Sequence, residues 1–321
     1  MVEKILQNRG IKAELVSKTS GINLESIEVK LSSPVRKLRY CLEDIAADLK
    51  VSHVTIDGPL HNKGTFLLQY PKTNRGKFSF NDGFRKGKFS GELPFLLGYS
   101  DSEGVITADL STLPHLLVAG ATGTGKSVFI NSLITSLYKK SSKTHFVLID
   151  PKQVELSHFA SKLKLAFSMD KAVTDCDQAF NVLNHACNIM DATYKEMQKD
   201  KIRSIYERPK SSKYRPIVII IDELADLIIK NKEVEEKIIR IAQLGRAAGI
   251  HLVVATQRPT AQVITGLIKS NIPARVAFSV SSKMDSRIVL DESGAESLLG
   301  KGDLIFKDGK GKKMRLQGAL I

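Results

Sequence analysis

Residues Gly120–Ser127 read Gly-Ala-Thr-Gly-Thr-Gly-Lys-Ser, the complete G-x-x-x-x-G-K-[ST] pattern. No other stretch constrains the fold as tightly. Leu116, Leu117, Val118 and Ala119 precede it as an apolar run of strand type, and Val128, Phe129, Ile130, Leu133, Ile134 and Leu137 follow at helical spacing. A strand, a glycine-rich loop and a helix N-terminus in that order make an anion site. Unhindered backbone N–H groups can wrap phosphate oxygens there, and the helix dipole favours negative charge. On this pattern Gly120, Ala121, Thr122, Gly123, Thr124 and Gly125 form the phosphate cradle. Lys126 reaches the β- and γ-phosphates and the Ser127 hydroxyl holds Mg²⁺. The expected ligand is a nucleoside triphosphate such as ATP, with Mg²⁺.

A second element turns a binder into an expected hydrolase. Pro216 is followed by Ile217, Val218, Ile219, Ile220 and Ile221, then by Asp222 and Glu223. Five β-branched residues in a row predict a strand buried on both faces, as in a parallel sheet. Carboxylates at its C-terminal end fall where open α/β sheets bind ligands. Asp222 is placed to position Mg²⁺ through its water shell, and Glu223 to orient and polarise an attacking water. The plain alternative is a pair of solvated loop carboxylates.

The chain has 321 residues and 42% hydrophobic content, room for one large or two medium domains. No apolar run approaches the roughly 20 residues of a membrane span, and the N-terminus, with Glu3, Lys4 and Arg9, does not read as a signal peptide. Cys41, Cys176 and Cys187 lack metal-ligand spacing and fit reduced thiols, so the expected location is the cytoplasm. The net charge of +14 (48 basic against 34 acidic residues) exceeds what a nucleotide requires and suits a nucleic acid or an anionic membrane. Between Lys72 and Phe89, basic residues interleave with Phe78, Phe80, Phe84 and Phe89. A base-stacking platform is one reading; half-buried strands with basic outer faces fit the alternation of Phe78 and Phe80 better. Further basic stretches run from Lys195 to Arg215 and from Lys307 to Arg315, the latter across an Asp308-Gly309 hairpin turn.

The pattern divides into a small α+β domain over residues 1–96 and an α/β domain over 97–321. In the first, Ile27–Leu31, Val54–Asp57 and Thr65–Tyr70 read as strands and Val35–Leu49 as a helix. In the second, strands and helices alternate: Phe146–Ile149, a helix over Val173–Lys199, Ile217–Ile221, a helix over Glu233–Ala248, then Leu252–Ala255 and Ala274–Phe278. Such alternation implies a mostly parallel sheet with helices on both faces, here carrying the phosphate loop of a P-loop NTPase. Gln257, at the tip of the strand over Leu252–Ala255, is a candidate γ-phosphate sensor or a simple strand-ending residue before Pro259. Arg246, at a helix end, either complements the helix dipole or reaches a neighbouring subunit's nucleotide.

Several blocks, in order, resemble the motor of FtsK/SpoIIIE DNA translocases. They include the phosphate loop with its flanks, Leu148-Ile-Asp-Pro-Lys, Ile219-Ile-Ile-Asp-Glu-Leu-Ala-Asp, Gly245-Arg-Ala-Ala-Gly-Ile-His and Ala255-Thr-Gln-Arg-Pro. Val263 to Arg275, Val280 to Arg287 and Gly294 to Leu304 continue the series. More weakly, residues 24–97 resemble the family's small α domain. The resemblance implies a RecA-like P-loop NTPase fold for the α/β domain, and an ATP-hydrolysing homohexameric ring that moves double-stranded DNA through its centre. It matches Arg246 to the trans-acting arginine and Gln257 to the sensor. It matches Arg258, Lys269, Lys283 and Arg287 to basic positions in pore-facing loops, where charge can grip phosphates without reading bases; solvated surface or structural ion pairs are the alternative for these four.

The membrane helices, long linker and winged helix of characterised cell-division members have no counterpart in these residues. Septal anchoring and sequence-directed polarity are therefore not expected of them, and a standalone motor or a fragment both fit. Segregation, conjugative transfer and genome packaging remain open, as do a type VII-like secretion ATPase and a nucleotide-gated module without turnover.

Overall fold

The computed structural model describes residues 2–60, 64–208 and 214–321. Residues 209–213, in the middle of the basic stretch from Lys195 to Arg215, lie outside that set. The chain divides into two compact units, one of residues 1–78 with 100–104 and one of residues 79–99 with 105–321. The larger unit thus takes in residues 79–96, which the sequence pattern groups with the small domain.

In the smaller unit α1 (Val2–Asn8), β1 (Ala13–Ser20), β2 (Leu24–Leu31), α2 (Val35–Tyr40), α3 (Leu42–Leu49), β3 (Thr55–Asp57) and β4 (Thr65–Pro71) follow in order. The strands form an antiparallel sheet in the order β1-β2-β4-β3. Its core is built from alternate residues of β2, Ile27 and Val29, against Leu6, Leu38, Ile45 and Leu68. The single helix expected over Val35–Leu49 is two. Cys41 sits at φ −98° and ψ 6°, and its N–H bonds Leu38 O at 3.1 Å in a tight turn that interrupts the helical ladder.

The larger unit contains α4 (Phe80–Lys86), β5 (Pro94–Ser100), β6 (Gly104–Asp109), β7 (His115–Ala119), α5 (Lys126–Lys140), β8 (His145–Ile149) and α6 (Cys176–Asp200). It continues with β9 (Ile217–Ile221), α7 (Leu224–Lys230), α8 (Glu233–Ala248), β10 (Ile250–Thr256), α9 (Gly266–Asn271), β11 (Ala274–Phe278), α10 (Lys283–Leu290), β12 (Asp303–Lys307) and β13 (Lys313–Gln317). One nine-stranded sheet runs β6-β5-β13-β12-β11-β7-β10-β9-β8. Strands β11, β7, β10, β9 and β8 are parallel, and β12 and β13 extend the sheet antiparallel. The expected Asp308-Gly309 turn joins them, with Asp308 Oδ1 accepting the N–H groups of Lys310 and Lys312 at 2.9 and 2.8 Å.

Both faces of the parallel part are covered. Leu116, Val118, Val218 and Ile220 face a core shared with α5, while Leu117, Ala119, Ile219 and Ile221 face the core of α6 and α8. That double cover is why the run over Ile217–Ile221 is apolar at every position. Helix α6 starts where Asp175 accepts the N–H groups of Asp177 and Gln178 at 2.9 and 3.1 Å.

The aromatic stretch differs from the strand reading. Phe80 and Phe84 sit one helical turn apart on α4 with ring centroids 5.4 Å apart, and Phe84 packs on Phe89 at 4.9 Å. Helical spacing, with a period near four, brings the rings together on one face where strand alternation would not. Lys139 lies 5.3 Å and Lys140 4.7 Å from the Phe84 ring centroid. The rings are thus engaged by the protein's own cations.

Candidate nucleotide site

The strand order sets the site. Strand β10 lies between β7 and β9, with Thr256 level with Ala119 and Val254 level with Ile221. The phosphate loop, the β10 tip and the acidic pair therefore emerge side by side from the C-terminal edge of the sheet. The loop can close there because Gly125 adopts φ +118°, and an added Cβ would lie 2.8 Å from the backbone N of Gly302. Gly302 N donates to Thr124 O at 2.8 Å, fixing the loop against the segment before β12. Gly120 N donates to Thr256 O at 3.3 Å and Ala121 N to Ser279 O at 2.9 Å, so both neighbouring strands hold the loop.

Lys126, Asp222 and Glu223 converge there almost without solvent contact, at 3%, 1% and 0% exposure. Lys126 Nζ donates to Asp222 Oδ1 at 3.0 Å and to its carbonyl at 3.1 Å. Burial pushes the Asp222 carboxyl up from its ordinary range; Lys126 opposes this, and Asp150 and Glu155 add to the rise. Asp222 Oδ2 is buried without a hydrogen-bond partner. With the half-buried Ser127 hydroxyl it offers hard oxygen donors of the kind Mg²⁺ takes, so the residues present fit that ion.

Glu223 opens α7 and is enclosed by donors. Thr256 Oγ1 donates to Glu223 Oε1 at 2.6 Å, and Gln257 N donates to Glu223 Oε2 at 3.1 Å. Lys152 Nζ lies 3.5 Å from Glu223 Oε2 and 3.8 Å from Asp226 Oδ2. Gln257 also faces the phosphate loop, because its Oε1 accepts from Thr122 Oγ1 at 2.8 Å. The tip of β10 thus touches both halves of the site.

Arg246 is elsewhere. It lies in the last turn of α8, which closes at Gly249 just before β10 begins. Seven residues of β10, roughly 20 Å at about 3.3 Å per residue, separate that end of the sheet from Thr256. Its exposed guanidinium cannot reach the phosphate loop of its own chain.

The four basic positions separate into two groups. Arg258, Lys283 and Arg287 are exposed. Lys283 and Arg287 are four residues apart on α10 and so share one face, beside exposed Met284. Lys269 is bound instead: its Nζ donates to Asp291 Oδ1 at 2.7 Å, and Arg275 pairs with the other Asp291 oxygen. Burial raises the Asp291 carboxyl, but hydrogen bonds from Lys269 and Arg275 outweigh this and hold it below the carboxylate range.

Lys152 and Thr256 join the site without any sequence pattern that assigns them a role. Both stand in the blocks Leu148-Ile-Asp-Pro-Lys and Ala255-Thr-Gln-Arg-Pro. Their position within those blocks is the available signal; their contact with Glu223 depends on strand order, which no local pattern carries.

Residues 84–212 and 205–261 match the model of the FtsK/SpoIIIE family. The chain is 43% identical over 332 aligned residues to a protein of Caldanaerobacter subterraneus subsp. tengcongensis named DNA translocase FtsK. The alignment covers 100% of this chain and 46% of that protein. It is 39% identical to DNA translocase SftA of Bacillus subtilis, covering 100% of this chain and 35% of the relative. The chain therefore spans less than half the length of these relatives. Among solved structures, the pCW3 conjugation coupling protein TcpA, in monomer form with ATPγS, superposes with a TM-score of 0.71 at 24% identity, over 99% of this chain and 93% of TcpA. The cytoplasmic domain of the type VII secretion ATPase EccC of Thermomonospora curvata superposes with a TM-score of 0.61 at 20% identity, over 76% of this chain and 30% of EccC. Both share the fold. No helix among the described residues is long and apolar enough to cross a membrane. The matched family model extends over more than half of the sequence and includes the phosphate loop and the acidic pair, and the chain belongs to the FtsK/SpoIIIE family.

Proposed function

We propose that this chain is the motor of an ATP-driven double-stranded DNA translocase, working as a homohexameric ring in the cytoplasm in DNA segregation or transfer. The observation that carries the reading is the buried convergence of Lys126, Asp222 and Glu223 at one strand edge, with Lys126 Nζ 3.0 Å from Asp222. Residues Gly120 to Gly125 supply backbone donors to the phosphates. Lys126 exchanges its Asp222 contact for the β- and γ-phosphates, and Gln257 senses the γ-phosphate beside Thr122. Ser127 and Asp222 hold Mg²⁺, which neutralises phosphate charge when bound. Glu223 orients the attacking water and takes its proton.

Arg246 acts on the neighbouring subunit's nucleotide. Its place at the far edge of the sheet supports that role, because an arginine that cannot reach its own site is free to complete another. Double-stranded DNA is gripped through its phosphates by Arg258, Lys283 and Arg287, and the names of the relatives at about 40% identity support DNA as the substrate. Lys269, tied to Asp291, serves the α9–α10 packing instead. The likeness to a secretion ATPase is one of fold and does not favour protein as the cargo.

A triplex-displacement assay tests the reading. A translocating ring strips a third strand from duplex DNA with ATP and not with a non-hydrolysable analogue. ATP turnover on duplex without displacement would contradict translocation.

A further inference from the structure

Glu223 in this arrangement is closed to the water it is proposed to polarise. The residue is 0% exposed, and its carboxylate oxygens are already engaged. Oε1 takes the Thr256 hydroxyl at 2.6 Å and the Ala225 N–H at 3.4 Å, and Oε2 takes the Gln257 N–H at 3.1 Å with the Lys152 ammonium 3.5 Å away. A carboxylate polarises water through a free lone pair within hydrogen-bond reach of that water. The carboxylate has about four lone-pair sites, so one on Oε2 is left over, but with Glu223 fully buried no water reaches it. The Thr256 and Gln257 contacts that hold the carboxylate there must loosen before hydrolysis.

The donors are not equivalent. Ala225 belongs to α7, which Glu223 itself caps, and moves with it. Thr256 and Gln257 belong to the tip of β10. The Thr256 hydroxyl has one proton, which goes to Glu223, and its oxygen accepts the N–H of Arg258 at 3.1 Å. One hydroxyl therefore links the carboxylate to the backbone of an exposed arginine two residues further on. The same tip meets the phosphate loop through Gln257 and Thr122 at 2.8 Å. A pull on Arg258 acts on the Glu223 hydrogen bonds through three consecutive residues.

We infer that Thr256 is a positioning residue that latches Glu223 away from water, and that DNA phosphate held by Arg258 opens the latch. The latch rests on the reading of Glu223 as the water-polarising carboxylate. It makes turnover wait for DNA: without duplex the Thr256 and Gln257 donors hold Glu223, and with duplex bound the shift of residues 256–258 releases it.

The test compares wild type with Thr256→Val, which keeps shape and removes the hydroxyl, and with Thr256→Ser, which restores it. Phosphate release is measured at saturating ATP with and without saturating duplex DNA, and ATP affinity by a fluorescent-nucleotide isotherm. Loss of one charge-assisted hydrogen bond predicts a DNA-independent rate at least about threefold higher in Thr256→Val. The same variant should show a reduced DNA stimulation ratio and unchanged ATP affinity, and Thr256→Ser should match wild type. A lower DNA-independent rate with an unchanged stimulation ratio would overturn the latch and leave Thr256 as a residue that merely orients Glu223. Hydrogen exchange on the wild-type protein gives a second reading that no variant's folding can obscure. With a non-hydrolysable ATP analogue bound, adding duplex should deprotect the Gln257 and Arg258 amides while the phosphate loop stays protected. Unchanged or increased protection at both amides contradicts the latch. Glu223→Gln run alongside separates the two claims: normal hydrolysis in that variant removes the site assignment itself, and the latch with it.

Discussion

Lys126 and Lys283 carry the same charge, and the molecule places them in opposite settings. Lys126 is 3% exposed and bound to a carboxylate of 1% exposure, whereas Lys283 is exposed at the start of α10 with its neighbour Arg287. In the first region Lys126, Asp222 and Glu223 are held by named hydrogen bonds to groups inside the protein. In the second, charge is free to follow a mobile polyanion, which suits grip without sequence reading. On the proposed reading, the chemistry is kept dry and the grip wet.

The largest expected effect breaks the buried region. Lys126→Ala should abolish nucleotide binding or turnover, since it removes the mobile cation from the phosphates and leaves Asp222 buried and unpaired. Glu223→Gln should retain ATP binding and lose hydrolysis by a factor of about 10² or more. A binding isotherm and a turnover assay on the two variants separate these outcomes, and near-normal hydrolysis in either removes that residue's role.

Next comes the exposed arginine on the other edge. Arg246→Ala should depress hydrolysis by about 10³-fold with ATP affinity almost unchanged. Mixing it with Lys126→Ala subunits should restore part of the rate, because some mixed interfaces pair an intact loop with an intact arginine. No rescue under demonstrated subunit exchange would count against action in trans.

The surface group is sharpened by salt. The logarithm of duplex affinity should fall linearly with the logarithm of salt concentration. Lys283→Ala or Arg287→Ala should each make that slope shallower by about 0.9 for every phosphate left without its cation. Lys269→Ala should leave the slope alone and lower stability, because it strips a partner from Asp291. The sign follows from the depressed Asp291 carboxyl. Its contribution is present above the unfolded carboxylate range and is lost as pH falls through the lower folded value. Denaturant melts at neutral and acid pH should therefore converge for wild type and Lys269→Ala at the acid end.

The smallest effect concerns the far end of β7 and β10, where His115 and His251 are buried. Burial depresses them to about 3 and about 4, and the charge of His251 lowers His115 further. His251 Nε2 meets Tyr206 Oη at 2.6 Å and Nδ1 meets Pro114 O at 2.9 Å. The folded protein keeps both neutral where the unfolded chain is protonated, so stability is full above the ordinary histidine value and erodes below it. Both therefore make stability fall as pH drops from roughly 6.5 toward their folded values. Melts at pH 7 and pH 5 check this, and pH-independent stability over that range would contradict it.

Legibility in the sequence follows the same division. The phosphate loop, the β9 run and the limits of α8 stand in local patterns, because backbone conformation and two-sided burial dictate residue types within a few positions. The position of β10 between β7 and β9 does not, since strand order is set by long-range packing. That order is what brings Thr256 and Gln257 to Glu223. The α4 helix is hidden because Phe78 and Phe80 alternate over too few residues to separate the two periods. The ion pair of Lys269 is hidden because Asp291 lies 22 residues away. Charge counts show how many cations a chain has, and only the fold shows which are already paired.

The most direct test of the central claim is steady-state phosphate release with and without duplex DNA at low salt, in wild type and Glu223→Gln. Duplex of any sequence should raise the wild-type rate, rising salt should remove the increase, and Glu223→Gln should stay inactive throughout. A wild-type rate indifferent to duplex under conditions where ATP is turned over would contradict that claim.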